Sequence, residues 1–140
     1  MVVGVGTGST VDQLIPLLLQ FEGCQFVASS VKTEQALITQ GSSVCALNDI
    51  GSIDVYIDGT DVIDPDFFLL KGGGGAMTQE KILATHAKSF IVIADHTKQK
   101  ENFADAACPV EVLDVARSQV ARTLRSMGAH PEYRFGFQTD

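Results

Sequence analysis

Short apolar, β-branched runs alternate along this chain with segments of helical period, and that alternation constrains the fold more than any other feature. The runs are MVVGV (1–5), QFVA (25–28), SVCAL (43–47), DVYI (54–57), FFLL (67–70) and FIVIA (90–94), with helix-period stretches near 9–20, 32–40 and 77–87. These runs lack the apolar–polar alternation of a half-exposed strand, so they are expected to be buried on both faces. Buried strands joined through helices specify a doubly wound, Rossmann-like parallel α/β sheet. Ligands of such sheets sit beyond the carboxyl ends of the strands, so the chemistry is to be sought in the loops that follow them.

The pattern changes after Cys108-Pro109. VEVL (110–113), a helix from about Val115 to Met127 ended by Gly128, and EYRFGF (132–137) predict the start of a second, smaller α/β module. The expected organisation is therefore a Rossmann-like domain over 1–107 and a partial second α/β module over 108–140. Met1 runs at once into a strand and nothing follows to pair with the last one, so truncation at both ends is expected.

With 10 Lys and Arg against 17 Asp and Glu, the formal charge of −7 argues against a nucleic-acid partner, which needs a basic face. Any anion must be held by a local site. Cys24, Cys45 and Cys108 are odd in number and far apart, which fits reduced cytoplasmic thiols and no metal or redox pair. No apolar run is long enough to span a bilayer, and residues 1–20 lack the basic start of a signal peptide. His86, His96 and His130 are scattered singly, and they assemble neither a metal site nor a catalytic triad.

Three loops carry chemistry. GVGTGST (4–10) follows the first strand and opens a helix, where amide N–H groups and Thr7, Ser9 and Thr10 hydroxyls can meet a phosphate. A dinucleotide fingerprint would place a third glycine at Ser9 and an acid after the second strand, which instead ends Ala28-Ser29-Ser30. A tight turn with Ser/Thr helix caps is the alternative reading of this loop. DGTDVIDPD (58–66) carries four aspartates. A haloacid-dehalogenase phosphatase would need an aspartate where Tyr56 stands, and the offsets of a calcium loop are missing. Asp58 and Asp61, nearest the strand end, are candidates for function; Asp64 and Asp66 beside Pro65 read as a solvated turn.

KGGGGAMTQEK (71–81) is the third loop. Glycines in series let the backbone approach a ligand and offer N–H donors, and the helix beginning near Thr78 would carry Glu80 in its first turn. Lys71 and Glu80 can then face one pocket. A cation opposite a carboxylate is what proton abstraction beside a carbonyl requires, with Glu80 as base and Lys71 and the amides holding the oxyanion. Desolvation would raise the Glu80 pKa, whereas Lys71 and the helix N-terminus would lower it. Lys98, in ADHTKQ, lies at another strand end and reads either as a ligand contact or as a solvated lysine. SSVKTEQ (29–35) could add hydroxyls and Lys32 near the first loop, or be a helix start.

With GVGTGST, IDGTD, KGGGGAMTQEK, IADHTK, PVEVLDVARSQVARTL and PEYRFGFQTD in one order across the whole chain, the sequence resembles the A-type ribose-5-phosphate isomerases. That resemblance implies interconversion of ribose 5-phosphate and ribulose 5-phosphate in the pentose phosphate pathway, with no metal or organic cofactor. It implies that Thr7, Gly8, Ser9 and Thr10 form a substrate loop, and that Asp58, Gly59, Thr60, Asp61, Lys71, Gly72, Gly73 and Gly74 line the pocket. Glu80 would be the base that moves a proton between carbons 1 and 2 through a cis-enediol, Lys71 would stabilise the enediolate, Asp58 would assist ring opening or hydroxyl proton movement, and Lys98 would bind substrate. Family members commonly read DGADE where this chain has DGTDV, so Val62 stands in place of a carboxylate. The family also implies a helix before the first strand, further chain after QTD, and a homodimer or homotetramer. The alternatives are a sugar-phosphate-binding sensor domain without catalysis, and an inactive isomerase fragment.

Overall fold

The computed structural model describes residues 1–139. In chain order the elements are β1 (Val2–Val5), α1 (Ser9–Leu14), β2 (Gln25–Ala28), α2 (Val31–Thr39), β3 (Val55–Asp58), β4 (Val62–Ile63), β5 (Leu69–Leu70), α3 (Met77–His86), β6 (Phe90–Val92) and α4 (Arg117–Ser126). Four strands form a parallel sheet in the order β2-β1-β3-β6, with Val5 opposite both Ala28 and Ile57. The chain steps from β1 to β2 on one side and then returns past β1 to β3 on the other. That reversal opens a crevice beyond the carboxyl ends of β1 and β3.

Side-chain alternation along the strands divides the core in two. Val3, Val5 and Phe26 pack with Val11, Ile15, Leu18 and Leu37 from the α1–α2 layer. On the other face Val27, Tyr56 and Ile53 pack with Leu83 of α3. Helices thus cover both faces of the central strands, as a doubly wound sheet requires. Ser30 caps α2 by accepting a hydrogen bond from the Thr33 N–H at 3.1 Å. Among the described residues, no helix is long and apolar enough to cross a membrane.

Several expected elements differ. The helix expected over 9–20 is α-helical only to Leu14 and continues as a 3₁₀ turn over Ile15–Gln20, because Pro16 has no amide hydrogen to give. SVCAL forms one bridge, Val44 to Phe26, before the chain turns into a 3₁₀ segment at Leu47–Asp49. Only Leu69–Leu70 of FFLL is strand, and it pairs antiparallel with Val62–Ile63 outside the main sheet. Asp64 builds the turn between them, its Oδ1 accepting from the N–H groups of Asp66 and Phe68 at 3.0 and 2.8 Å, and so short a link cannot make a parallel crossover.

FIVIA shortens to β6 and is not buried on both faces: Phe90 is 38% and Ile91 46% exposed, because β6 is an edge strand. VEVL and EYRFGF are not strands; a strand must satisfy its N–H and C=O groups on a neighbour, and neither run meets one among the described residues. Between them only α4 forms, preceded by a 3₁₀ turn at Asp114–Ala116. Asp140, the last residue of the QTD motif, lies outside the described residues.

Candidate active site

The crevice beyond β1 and β3 collects the three loops. Its walls are Thr7, Gly8, Ser9 and Thr10 after β1, Gly59, Thr60 and Asp61 after β3, Lys71, Gly72 and Gly74 of the glycine loop, Glu80 of α3, and Lys98 after β6. Two of the residues expected there stand back from it. Gly73 is turned into the loop, its N–H donating to Asp61 Oδ2 at 2.8 Å. Asp58 is wholly buried behind Lys71.

Asp58 is held from all sides. Its Oδ1 accepts the N–H groups of Thr7 and Gly59 at 3.1 and 2.7 Å, and its Oδ2 accepts the Tyr56 hydroxyl at 2.6 Å and the Lys71 ammonium at 2.8 Å. Lys71 also donates to the Gly59 carbonyl at 2.5 Å and lies 3.4 Å from Glu80 Oε2. The ammonium therefore spans two carboxylates, one sealed behind it and one facing the crevice. Glu80 is only 6% exposed, and burial pushes its carboxyl above the usual carboxylate range; the negative charge of Asp58 adds to this, with a smaller push from Asp61, and Lys71 opposes. A buried carboxylate of raised basicity beside a cation is the arrangement that general base catalysis with an oxyanion partner requires.

Of the first-loop hydroxyls, that of Thr7 faces inward more than the sequence suggests. Thr7 Oγ1 lies 2.9 Å from Ser29 Oγ, donates to Ser30 Oγ at 2.7 Å and lies 3.1 Å from Thr33 Oγ1, which in turn donates to the Gly6 carbonyl at 2.8 Å. The hydroxyls of SSVKTEQ thus buttress the loop, whereas Lys32 pairs with Asp12 at 2.6 Å on the exposed surface. The Thr60 hydroxyl is directed to the carbonyls of Val62 and Leu70, both at 2.8 Å, fixing the β4–β5 hairpin.

Tyr56 and the segment around Arg134 are the residues that sequence reasoning missed. Arg134 Nη1 donates to the Gly73 carbonyl at 3.2 Å, and its guanidinium lies 3.6 Å from the Phe137 ring centroid. Phe137 leans on Gly75, and Glu111 accepts a hydrogen bond from Thr78 at the start of α3. Residues after 108 thus brace the glycine loop. A Cβ on Gly75 would lie 2.8 Å from the Phe137 ring, at φ +88°, whereas one on Gly74 meets open space. Gly75→Ala is expected to destabilise the chain by about 1–3 kcal/mol, and Gly74→Ala by less than about 0.5 kcal/mol, as urea unfolding of both variants will read.

Fold and site together define a doubly wound α/β protein with a carboxylate–ammonium–carboxylate cluster at the carboxyl edge of its sheet. Residues 25–140 match the sequence model of the family described as Ribose 5-phosphate isomerase A (phosphoriboisomerase A). The chain belongs to that family. It is 49% identical to the ribose-5-phosphate isomerase A of Acidithiobacillus ferrooxidans and 46% identical to that of Bordetella parapertussis, in each case over 100% of its own length. It spans 65% and 63% of the length of these two relatives. Among solved structures, ribose 5 phosphate isomerase A from Neisseria gonorrhoeae superposes with a TM-score of 0.93 at 37% identity, covering 99% of this chain and 63% of that one. A D-ribose-5-phosphate isomerase in complex with phospho-erythronic acid superposes with a TM-score of 0.92 at 33% identity, over 98% of this chain and 63% of that one.

Proposed function

We propose that the chain carries out aldose–ketose isomerisation, interconverting ribose 5-phosphate and ribulose 5-phosphate through a cis-enediol, as a step of the pentose phosphate pathway and with no cofactor. The observation that carries this reading is the Lys71 ammonium set between buried Asp58 and Glu80 at a glycine-walled crevice. In the proposed reaction Glu80 takes the proton from carbon 2 of the open-chain aldose. Negative charge then grows on the carbon 1 oxygen, where Lys71 and the amides of the glycine loop stabilise it. The proton of the carbon 2 hydroxyl passes to the carbon 1 oxygen, and return of the first proton from Glu80 to carbon 1, as the carbon 2 carbonyl forms, gives the ketose. Asp58 has no face on the crevice, so its proposed part is to hold Lys71 from behind rather than to touch the sugar. The phosphate is assigned to the amides of Gly8, Ser9 and Thr10 and the hydroxyls of Ser9 and Thr10, with Lys98 lining the same crevice.

A homodimeric or homotetrameric assembly and a cytoplasmic setting belong to the same proposal. The outward Phe90 and Ile91 support the first, and the free thiols of Cys24, Cys45 and Cys108 support the second.

The test is solvent deuterium exchange at carbon 2 of ribose 5-phosphate, followed by NMR across a pH series. Incorporation is expected, with kcat/KM falling on acidification through a midpoint above the usual carboxylate range, because Glu80 must be ionised to act and burial raises its pKa. Saturable binding of ribose 5-phosphate with no incorporation at any pH would refute the reading.

A further inference from the structure

Tyr56 is fully buried, and its ring is held on all sides. It stacks on Phe90 with centroids 5.2 Å apart and 20° between planes, packs in the cluster with Val27, Ile53 and Leu83, and fills the space left by the missing side chain of Gly4, where a Cβ would lie 2.7 Å from Cδ2. Phenylalanine would pack there equally well. A buried hydroxyl is unfavourable unless it is used, and this one has a particular partner. It donates at 2.6 Å to Asp58 Oδ2, the same oxygen that accepts the Lys71 ammonium at 2.8 Å.

We propose that Tyr56 is a positioning residue of this site, whose hydroxyl saturates Asp58 Oδ2 and so sets how the Lys71 ammonium is divided between Asp58 and Glu80. With the hydroxyl in place, Oδ2 shares its electron density between two donors, and Lys71 can sit 3.4 Å from Glu80 Oε2. Without it, Oδ2 faces Lys71 alone. The ammonium is then drawn back, and the negative potential of Asp58 at Glu80 rises; both changes make Glu80 more basic. The hydroxyl keeps its proton throughout, because burial, reinforced by the charge of Asp58, pushes its pKa far above the ordinary tyrosine value. The other charged groups around the Glu80 carboxylate are Asp61 after β3 and Lys98 after β6, with Arg134 bound to the glycine loop. None of these touches Tyr56.

The inference rests on the isomerase reading for its effect on turnover, but its direct readout does not. The ¹³C carboxyl resonance of Glu80, assigned by its loss in Glu80→Gln, is titrated in the full chain as wild type and as Tyr56→Phe. A third sample carries 3-fluorotyrosine, a stronger hydrogen-bond donor, in a Tyr133→Phe background; Tyr56 and Tyr133 are the two tyrosines, so the label then reports on Tyr56 alone. Tyr56→Phe is expected to raise the Glu80 midpoint by roughly half a pH unit or more, and 3-fluorotyrosine to lower it. The acid limb of kcat/KM should move with the midpoint, and kcat should fall about tenfold in Tyr56→Phe with KM within about twofold. A Glu80 midpoint that stays at its wild-type value in folded Tyr56→Phe overturns the proposal. If that variant fails to fold, an unmoved midpoint in the fluorinated protein does so. A shifted midpoint in a chain that never isomerises its sugar would uphold the role of Tyr56 and refute the isomerase reading instead.

Discussion

Turnover should disappear in Glu80→Gln while the protein becomes no less stable at neutral pH. Glutamine keeps the shape of the side chain and can still accept a hydrogen bond from Lys71, but it cannot take a proton from carbon. General base catalysis contributes about 10²- to 10⁴-fold, so kcat should fall by at least two orders of magnitude and exchange at carbon 2 should stop with it. The stability half of the expectation follows from burial. The folded-state pKa of Glu80 is raised above its unfolded value, chiefly by desolvation. Such a group contributes stability that is fully present below the unfolded pKa and is lost as pH rises through the folded one. Above its folded-state pKa the wild type therefore carries an ionised, buried carboxylate at a net cost, which glutamine removes. Lys71 is not orphaned, since Asp58 Oδ2 and the Gly59 carbonyl still accept from it. Parallel thermal unfolding and turnover at pH 7 check both halves. A variant that retains near-normal turnover removes Glu80 from the role of base, and one that unfolds well below wild type shows that the carboxylate was holding the fold.

How much of this was legible in the sequence depends on how far each residue reaches along the chain. The parallel sheet followed from local periodicity, and β1, β2, β3 and α3 fall within a residue or two of the runs that predicted them. The pairing of Lys71 with Glu80 was legible because a single glycine loop and one helical turn connect them. The sequence puts Asp58 in the right neighbourhood but does not show that it lies buried behind Lys71, since little local to DGTD says which way its first side chain turns. Two of the four partners of Asp58, Thr7 and Lys71, come from other loops, and the contact with Thr7 exists only once β1 and β3 are paired. In the sequence Tyr56 stands out only as the residue that breaks another family's motif. Its phenol two residues before Asp58 lies on the same side of β3, so the period of the strand could have flagged it. The expected strands after residue 108 failed for the complementary reason. Apolar, β-branched composition marks a segment that can pair, and whether it does pair is decided by a neighbour that composition does not reveal.

The glycines of the first loop show the same contrast, and one of them yields the other large expected effect. As sequence, GVGTGST reads as room for a ligand. In the fold, Gly6 makes room for Asp58: a Cβ on it would lie 1.9 Å from Oδ1, 2.1 Å from Cγ and 2.6 Å from Cβ of that side chain. Gly6 itself is tied to β3 by its N–H donating to the Ile57 carbonyl at 2.8 Å, so it cannot step aside without opening the ladder. Gly6→Ala must therefore either spread β1 from β3 or expel the Asp58 carboxylate from its four donors. Overpacking costs typically about 1–3 kcal/mol, and leaving buried partners of a charged group unsatisfied adds about 1–3 kcal/mol more. We expect a loss of roughly 3–5 kcal/mol in chemical unfolding, and a fall in kcat of at least about 10²-fold in whatever fraction stays folded, because Lys71 loses the carboxylate that aims it. Gly59→Ala is the matched control, being next to the same aspartate with nothing nearer than 3.9 Å to a new Cβ, and should unfold near wild type. If Gly6→Ala unfolds with the control and turns over normally, then Asp58 is free to leave its cage without consequence, and the ion pair it makes with Lys71 is not what organises the site.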